Sequence, residues 1–461
     1  VLALALRLWR LGWHDMWSDE GFTLWMAGLD LPSMMKVLER DAHPPLVYLG
    51  LKAWCALFGG PDATGDFAAR LPFALAGVGT VAATWWMARP LVGPGAALGA
   101  AGCVAVSQTA LAMDQEVRFY AFLPLLSTLA LGALERRSWR GYALALSLGL
   151  YTHYLMGFVL LAQGVGALLS GRGRTWALGA GVAALAFAPW AATMTLAQIR
   201  AGAGPPHEAA PLVALAGAGV TLAAGFPLRL PVALLPLLVV PALVGAWALG
   251  RAGRALLLFA WLGPPALVWA ASAAGPVHFF AAKYLVLAMP AFWTLTAAGL
   301  GRHRLLLPLG AVLLILNATS LWLWDTRPEH QKSRWREALN LVAGQVQPGD
   351  ALVVMNSWQR YVVDRYLRGS GIPVAYVRSE EIDAPRLPPA RRLWVLLSHA
   401  DQVDPHRRFV RWLDARGEWL AEQSLPIADS PDSGVTILLW RPRPQGNSGG
   451  CYPGKRAANS G

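Results

Sequence analysis

The sequence predicts a membrane all-α polytopic bundle of about 11–13 transmembrane helices, followed by a small soluble α/β domain at the C-terminal end. Three observations predict it. Of 461 residues, 55% are hydrophobic and only 14% charged, where a soluble domain carries about 25% charged residues. The deficit is uneven: residues 1–323 are apolar stretches broken by short basic clusters, whereas 324–443 have an ordinary soluble composition. The net charge of +12 is largely arginine between apolar stretches. That pattern fits the positive-inside rule at a bilayer and gives no reason to expect nucleic acid as a partner.

The candidate spans are 1–11, 68–88, 91–112, 118–134, 141–155, 156–171, 175–195, 231–249, 255–274, 284–300 and 304–323. The first is shorter than the ~20 residues a bilayer requires and reads as a truncated span. Residues 46–59 carry Lys52 at their middle and read as an interfacial or re-entrant helix. Residues 211–228 are ambiguous in the same way, and counting both gives the upper figure. Residues 22–40 mix apolar and polar side chains like a helix lying on a membrane surface. The stretch 12–67 is thus a large first outer loop, and loops of that length usually carry function.

In 324–443, helices are predicted near 335–346, 358–368 and 405–416, and strands near 351–355, 373–377, 393–398, 419–425 and 434–440. The alternation predicts a layered α/β domain without a GxGxxG or P-loop motif. The tail 444–461 is polar and Gly/Ser/Asn-rich, the composition of a disordered segment. Cys55, Cys103 and Cys451 show neither a disulfide framework nor metal spacing.

The basic clusters set the expected sides. If Arg89, Arg136, Arg137, Arg140, Arg172, Arg174, Arg251, Arg254, Arg302 and Arg304 are cytoplasmic, the opposite loops hold Asp19, Glu20, His43, Asp114, Glu116, His153, His207, His278 and Lys283. Trp17-Ser18-Asp19-Glu20-Gly21 places two carboxylates beside the membrane. They are either a helix cap or a general base. Asp41-Ala42-His43-Pro44-Pro45 holds an imidazole on a stiff backbone, either suited to phosphate or, when neutral, to a metal, or, as the segment alone favours, incidental to a proline-capped helix start. Asp114-Gln115-Glu116-Val117-Arg118-Phe119-Tyr120 gathers three charges at a span entrance, where Arg118 either suits bidentate phosphate binding or anchors the chain at the interface with Tyr120. Tyr151-Thr152-His153-Tyr154 reads equally well as an aromatic belt, and Lys283-Tyr284 as a snorkelling anchor. Together the five segments bring carboxylates, cations and imidazoles to one surface, as a reaction on an anionic lipid head group requires.

The order Arg10, Trp13, Trp17-Ser18-Asp19-Glu20, His43-Pro44-Pro45-Leu46, Ala69-Arg70-Leu71-Pro72 and Gln115-Glu116-Val117-Arg118-Phe119-Tyr120-Ala121 resembles the GT-C glycosyltransferases. Within them it resembles family 39, which includes protein O-mannosyltransferases and bacterial lipid A aminoarabinose transferases. Tyr151-Thr152-His153-Tyr154 and Lys283-Tyr284-Leu285 fit bacterial members. The resemblance implies an inverting transferase in a bacterial inner (plasma) membrane, with the C-terminal domain extracytoplasmic. It would take a polyprenyl-phosphate-linked sugar and pass it to a lipid, glycan or protein acceptor. Asp19 would be the general base and Glu20 its positioning neighbour. Arg118 and Lys283 would hold the donor phosphate, His43 would stand where relatives place His or Lys, and Asp114 and Glu116 would touch sugar or acceptor. Tyr120, His153, Tyr154, His278 and Tyr284 complete the expected binding set. Ala42 stands where the lipid A enzymes place an acidic residue, so no required metal is expected. The competing readings are a transporter or flippase for a lipid-linked sugar, and an inactive envelope scaffold. Charges near mid-bilayer and repeated halves, the marks of a transporter, are not evident in the sequence.

Overall fold

The computed structural model describes residues 1–201, 211–275, 280–428 and 434–443. The expectations for His207, His278, Cys451 and the tail 444–461 lie outside the described residues. The chain divides into two compact units, Val1–Ser333 and Arg334–Gly461.

The first unit is helical. Its α-helices are α1 (Leu2–Leu8), α2 (Ser18–Gly28), α3 (Leu31–Leu38), α4 (Leu46–Ala56), α5 (Asp66–Val92), α6 (Pro94–Val106), α7 (Gln108–Asp114), α8 (Phe122–Glu135), α9 (Trp139–Thr152), α10 (Met156–Leu169), α11 (Gly173–Trp190), α12 (Leu196–Arg200), α13 (Leu212–Ala224), α14 (Leu235–Ala248), α15 (Arg251–Ala274), α16 (Met289–Arg302) and α17 (Leu307–Thr326). Each expected span coincides with one helix or with two in succession. By length and composition, however, five helices among the described residues qualify as spans, or six when α6 and α7 count as one bent by 60°. Shorter apolar helices among the described residues, such as Met156–Leu169 and Leu212–Ala224, hold 10–17 residues, short of the ~20 that cross hydrocarbon unaided. The protein is a multi-pass membrane protein whose sequence runs include several such short helices.

Polar side chains repair the backbone where helices break. The break between α6 and α7 at Ser107 frees the Gln108 N–H, which donates to Asn317 Oδ1 of α17 at 3.1 Å. Asn317 in turn donates to Ala223 O at 2.8 Å, and Ser320 to Ala224 O at 2.6 Å. Buried backbone groups at membrane depth need such partners. Small residues bring helices close: a Cβ on Gly245 of α14 would lie 1.9 Å from Leu295 O, and one on Gly299 of α16 would lie 2.0 Å from Pro241 O.

Lys52, the residue that argued against α4 as a span, donates to Leu29 O at 2.6 Å and Ala27 O at 3.3 Å. It caps the C-terminal end of α2, where a cation also meets the negative pole of the helix dipole. Met26, Met34, Leu38, Tyr48 and Trp190 form the apolar core that seats this loop.

The second unit is a sheet flanked by helices. Along the chain run α18 (Trp335–Ala343), β1 (Asp350–Met355), α19 (Arg360–Tyr366), β2 (Val374–Val377), β3 (Arg392–Leu397), α20 (Ala400–Val403), α21 (Arg408–Asp414), β4 (Gly417–Leu425) and β5 (Val435–Pro442). The strand order is β2-β1-β3-β5-β4. β1 pairs parallel with β2 and β3, and β5 runs antiparallel to β3 and β4. β1 is buried along its whole length, the signature of a central parallel strand covered on both faces. Asp350 fixes the start of the β1/β3 pair, accepting from Arg392 Nη2 at 2.6 Å and Trp394 Nε1 at 3.2 Å.

Candidate active site

The candidate site grows from the N-terminal end of α2. Trp17 is the N-cap residue, and Glu20, at the third helical position, accepts the Trp17 N–H at 3.4 Å. Glu20 is buried, and Arg70 of α5 grips it with two bonds, Nε to Oε1 at 2.9 Å and Nη2 to Oε2 at 2.8 Å. The same carboxylate accepts the Val117 N–H at 2.9 Å. Arg70 also donates to the carbonyls of Leu11, His14 and Asp15. Glu20 therefore joins the first loop to α5 and to the 115–118 segment, and its oxygens are occupied by protein donors.

Asp19, one residue earlier on the helix, points elsewhere. Its side chain keeps 37% of its exposure and lies 3.4 Å from Arg118 Nη2. Arg118 is buried and donates through Nη1 to Thr23 Oγ1 at 3.0 Å, while its Nε has no hydrogen-bond partner. Burial disfavours the Arg118 charge. The nearby Asp19 and Asp41 carboxylates offset that effect. Arg118 is thus a fixed cation with unfilled donor capacity beside a solvent-reachable carboxylate.

Aromatic rings and lysines border this pair. Lys283 Nζ lies 5.3 Å from the Trp17 ring centroid and 4.9 Å from that of Tyr120. Lys332 Nζ lies 5.5 Å from the Trp17 ring and forms an ion pair with Glu116. Glu116 is buried with Oε2 lacking a hydrogen bond. Burial raises its pKa, Lys332 opposes the rise, and the charge of Glu20 adds to it. The Tyr284 ring lies 6.1 Å from that of Tyr120, tilted by 43°.

His43 is held by Asp41, with Nδ1 3.1 Å from Oδ1, and Asp41 accepts the Tyr48 hydroxyl at 2.8 Å. Burial pushes the Asp41 carboxyl up, but His43, Tyr48 and Arg118 together bring it below its usual value. The His43 ring lies 4.3 Å from Phe119 and 5.2 Å from His153. His153 Nδ1 accepts the Leu155 N–H at 3.1 Å, so its neutral tautomer carries the proton on Nε2, which is buried without a partner. Tyr154 belongs to an adjoining cavity of about 620 Å³, whose lining includes Ala42, Phe158, Leu161, Thr195 and Gln198. Its hydroxyl bonds Gln198 and accepts from Trp190 Nε1 at 3.0 Å. A π-helical turn runs over Ala191–Thr195 and contributes Thr195 to this wall, a feature often found at functional sites.

The expected residues Asp19, Glu20, His43, Glu116, Arg118, Tyr120, His153, Lys283 and Tyr284 are linked in one cluster. Asp114 is not among them. Its carboxylate is buried in an ion pair with Arg7 Nε of α1 at 2.8 Å. Arg7 also donates to Ala105 O, so Asp114 ties helices together and stands outside the cluster. Arg7, Asp41 and Lys332 carry roles that local pattern does not reveal. Lys332 meets Glu116 across 216 residues of sequence. Among the described residues, no group of three or more His, Cys, Asp or Glu side chains is placed to hold a metal ion.

Fold and cluster together describe a polytopic membrane protein whose fold is that of solved GT-C proteins. Residues 42–194 match the family model for dolichyl-phosphate-mannose-protein mannosyltransferase. The crystal structure of ArnT from Cupriavidus metallidurans in the apo state aligns with a TM-score of 0.57 at 14% identity, covering 95% of this chain and 96% of that one. The same protein bound to undecaprenyl phosphate aligns with a TM-score of 0.54 at 14% identity and the same coverage. No curated protein matches the chain by sequence. The GT-C resemblance read from the motifs is thus met in the fold.

Proposed function

We propose that the chain is an inverting glycosyltransferase that moves a sugar from a polyprenyl-phosphate donor to an acceptor hydroxyl on the extracytoplasmic face of a bacterial plasma membrane. The observation that carries this reading is the Asp19–Arg118 pair, a half-exposed carboxylate 3.4 Å from a buried cation in a protein of GT-C fold. The undecaprenyl phosphate bound to ArnT supports a lipid phosphate as the donor's leaving group here. The arginine-rich loops support cytoplasmic placement of the opposite helix ends, and with it an extracytoplasmic C-terminal unit.

In this scheme the donor phosphate lies against Arg118, Lys283 and Lys332, with His43 at its border. The apolar cavity beside Tyr154 takes the first isoprene units. Asp19 accepts the proton of the acceptor hydroxyl as that oxygen attacks the anomeric carbon. The carbon–oxygen bond to phosphate breaks, and its electron pair leaves with the phosphate. Fixed cations stabilise the developing charge. A single displacement inverts the anomeric centre. Phosphate is already a good leaving group, so a second carboxylic acid is not required, in contrast to glycoside hydrolysis. Glu20 fits this division of labour, because Arg70 and the Val117 N–H occupy it.

The test is the purified chain in liposomes that carry labelled polyprenyl-phosphate sugar and membrane acceptors. The proposal expects the label to leave the polyprenyl phosphate and become covalently attached to an acceptor. Label that changes leaflet while still on its carrier would instead support a flippase.

A further inference from the structure

The Arg334–Gly461 unit takes no part in the chemistry above, yet the carboxyl edge of its parallel strands is built as a ligand site. From β1 the chain passes to β2 on one side and then returns to β3 on the other. In open α/β sheets the loops diverge at such a switch point and leave a crevice where ligands bind. A cavity of about 400 Å³ lies at this edge, its floor including Met355 and Leu397, the last residues of β1 and β3. Asp401, Asp404, Glu422, Arg407 and Trp419 contribute to its walls.

Two further features mark the edge. Asn356, His399 and Arg407 adopt left-handed backbone, with φ of 83°, 56° and 51°. Such strain in residues other than glycine gathers at functional sites. Buried polar atoms also lack hydrogen bonds. Asp404 is 2% exposed and lines the cavity, and its Oδ1 accepts no hydrogen bond, the Arg408 Nε standing 3.6 Å away. Asn356 Oδ1 and Gln359 Oε1, in the loop that follows Met355, are equally buried and equally without partners. Orphaned buried acceptors in a folded protein call for a reason, and a ligand rich in donors supplies one.

The wall chemistry narrows the class. Carboxylates accept hydrogen bonds, Arg407 donates them, and an indole offers a flat apolar surface. Vicinal hydroxyls and the apolar face of a pyranose ring match that set. Three carboxylates against one arginine on the walls disfavour an anionic ligand. We propose that this crevice binds a neutral glycan, its hydroxyls on Asp401, Asp404 and Glu422 and one ring face against Trp419. Its role as the acceptor rests on the transferase reading, whereas the binding does not.

The experiment titrates the full chain in nanodiscs with neutral gluco-, manno-, galacto- and N-acetylglucosamine oligosaccharides and with oligogalacturonate. Binding is read by calorimetry and saturation-transfer NMR. A neutral oligosaccharide should bind at least tenfold more tightly than the uronate. Asp401→Asn and Glu422→Gln, both at exposed positions, should each weaken it by about tenfold or more, the scale of a lost hydrogen bond to a charged group. Failure of every neutral oligosaccharide to bind, stronger uronate binding, or affinity unmoved by both variants would overturn the proposal. Sugar transfer without free-glycan binding overturns this inference alone. Glycan binding without transfer overturns the transferase reading alone.

Discussion

Two neighbouring regions of the helical unit use the same residue types in opposite ways. At the joint between the first loop and α5, Glu20 and Arg70 are both buried and bonded at 2.8–2.9 Å, and Arg70 spends its remaining donors on three backbone carbonyls. In the open cluster, Asp19 remains 37% exposed, Arg118 leaves Nε without a partner and Glu116 leaves Oε2 without one. The difference teaches how to sort charges in such a site. A saturated ion pair holds the fold together, and an unsaturated one has capacity left for substrate. Asp114 stands apart from both: its Oδ2 accepts from buried Arg7 at 2.8 Å, and it lies outside the open cluster that holds Glu116.

The largest effect should come from breaking the joint. Glu20→Ala leaves Arg70 buried without its partner and should lower stability by about 3–5 kcal/mol, read as denaturant or thermal melting in detergent. Melting like the wild type would remove the joint from the account. A smaller loss should follow Gly77→Ala. A Cβ there would stand 2.2 Å from Asp114 Cγ and 2.6 Å from Arg7 Nε, so the pair must shift, at about 1–3 kcal/mol for overpacking. Unchanged melting would show that the Arg7–Asp114 pair tolerates displacement.

The smallest effect concerns Asp41, whose folded pKa lies below the ordinary 3.8. A depressed carboxylate adds stability that is full above its unfolded value and is lost as pH falls through its folded one. The melting gap between wild type and Asp41→Asn should therefore be widest near neutral pH and close as pH falls from about 5 to about 2. A gap independent of pH would contradict the assignment of Asp41 as the anionic partner of His43.

Much of the fold was legible because its signals are local. Apolar runs and arginine clusters located the helices of the first unit, and the alternation of short elements located the strands of the second. The number of self-sufficient spans was not legible, because a run of apolar residues does not show where the helix inside it stops. The break at Ser107 is one case: it is tolerated only because Asn317, 209 residues away, meets the freed N–H. In the site, motif order brought Asp19, Arg118 and Lys283 forward, and the resemblance gave Asp19 and Glu20 different roles, but neither showed what Glu20, Asp114 and Glu116 are bonded to. Their partners Arg70, Arg7 and Lys332 are distant in sequence, and saturation is a property of the folded pair. Lys332 stands in a polar stretch after α17 with no motif around it.

The central claim is that Asp19 performs the chemistry while Glu20 holds the structure. It is tested most directly by transfer of labelled sugar from native polyprenyl-phosphate donors in membranes, comparing wild type with Asp19→Asn at equal expression and equal melting temperature. The account predicts a loss of about a hundredfold or more, the scale of a missing general base. Undiminished transfer by Asp19→Asn would contradict it.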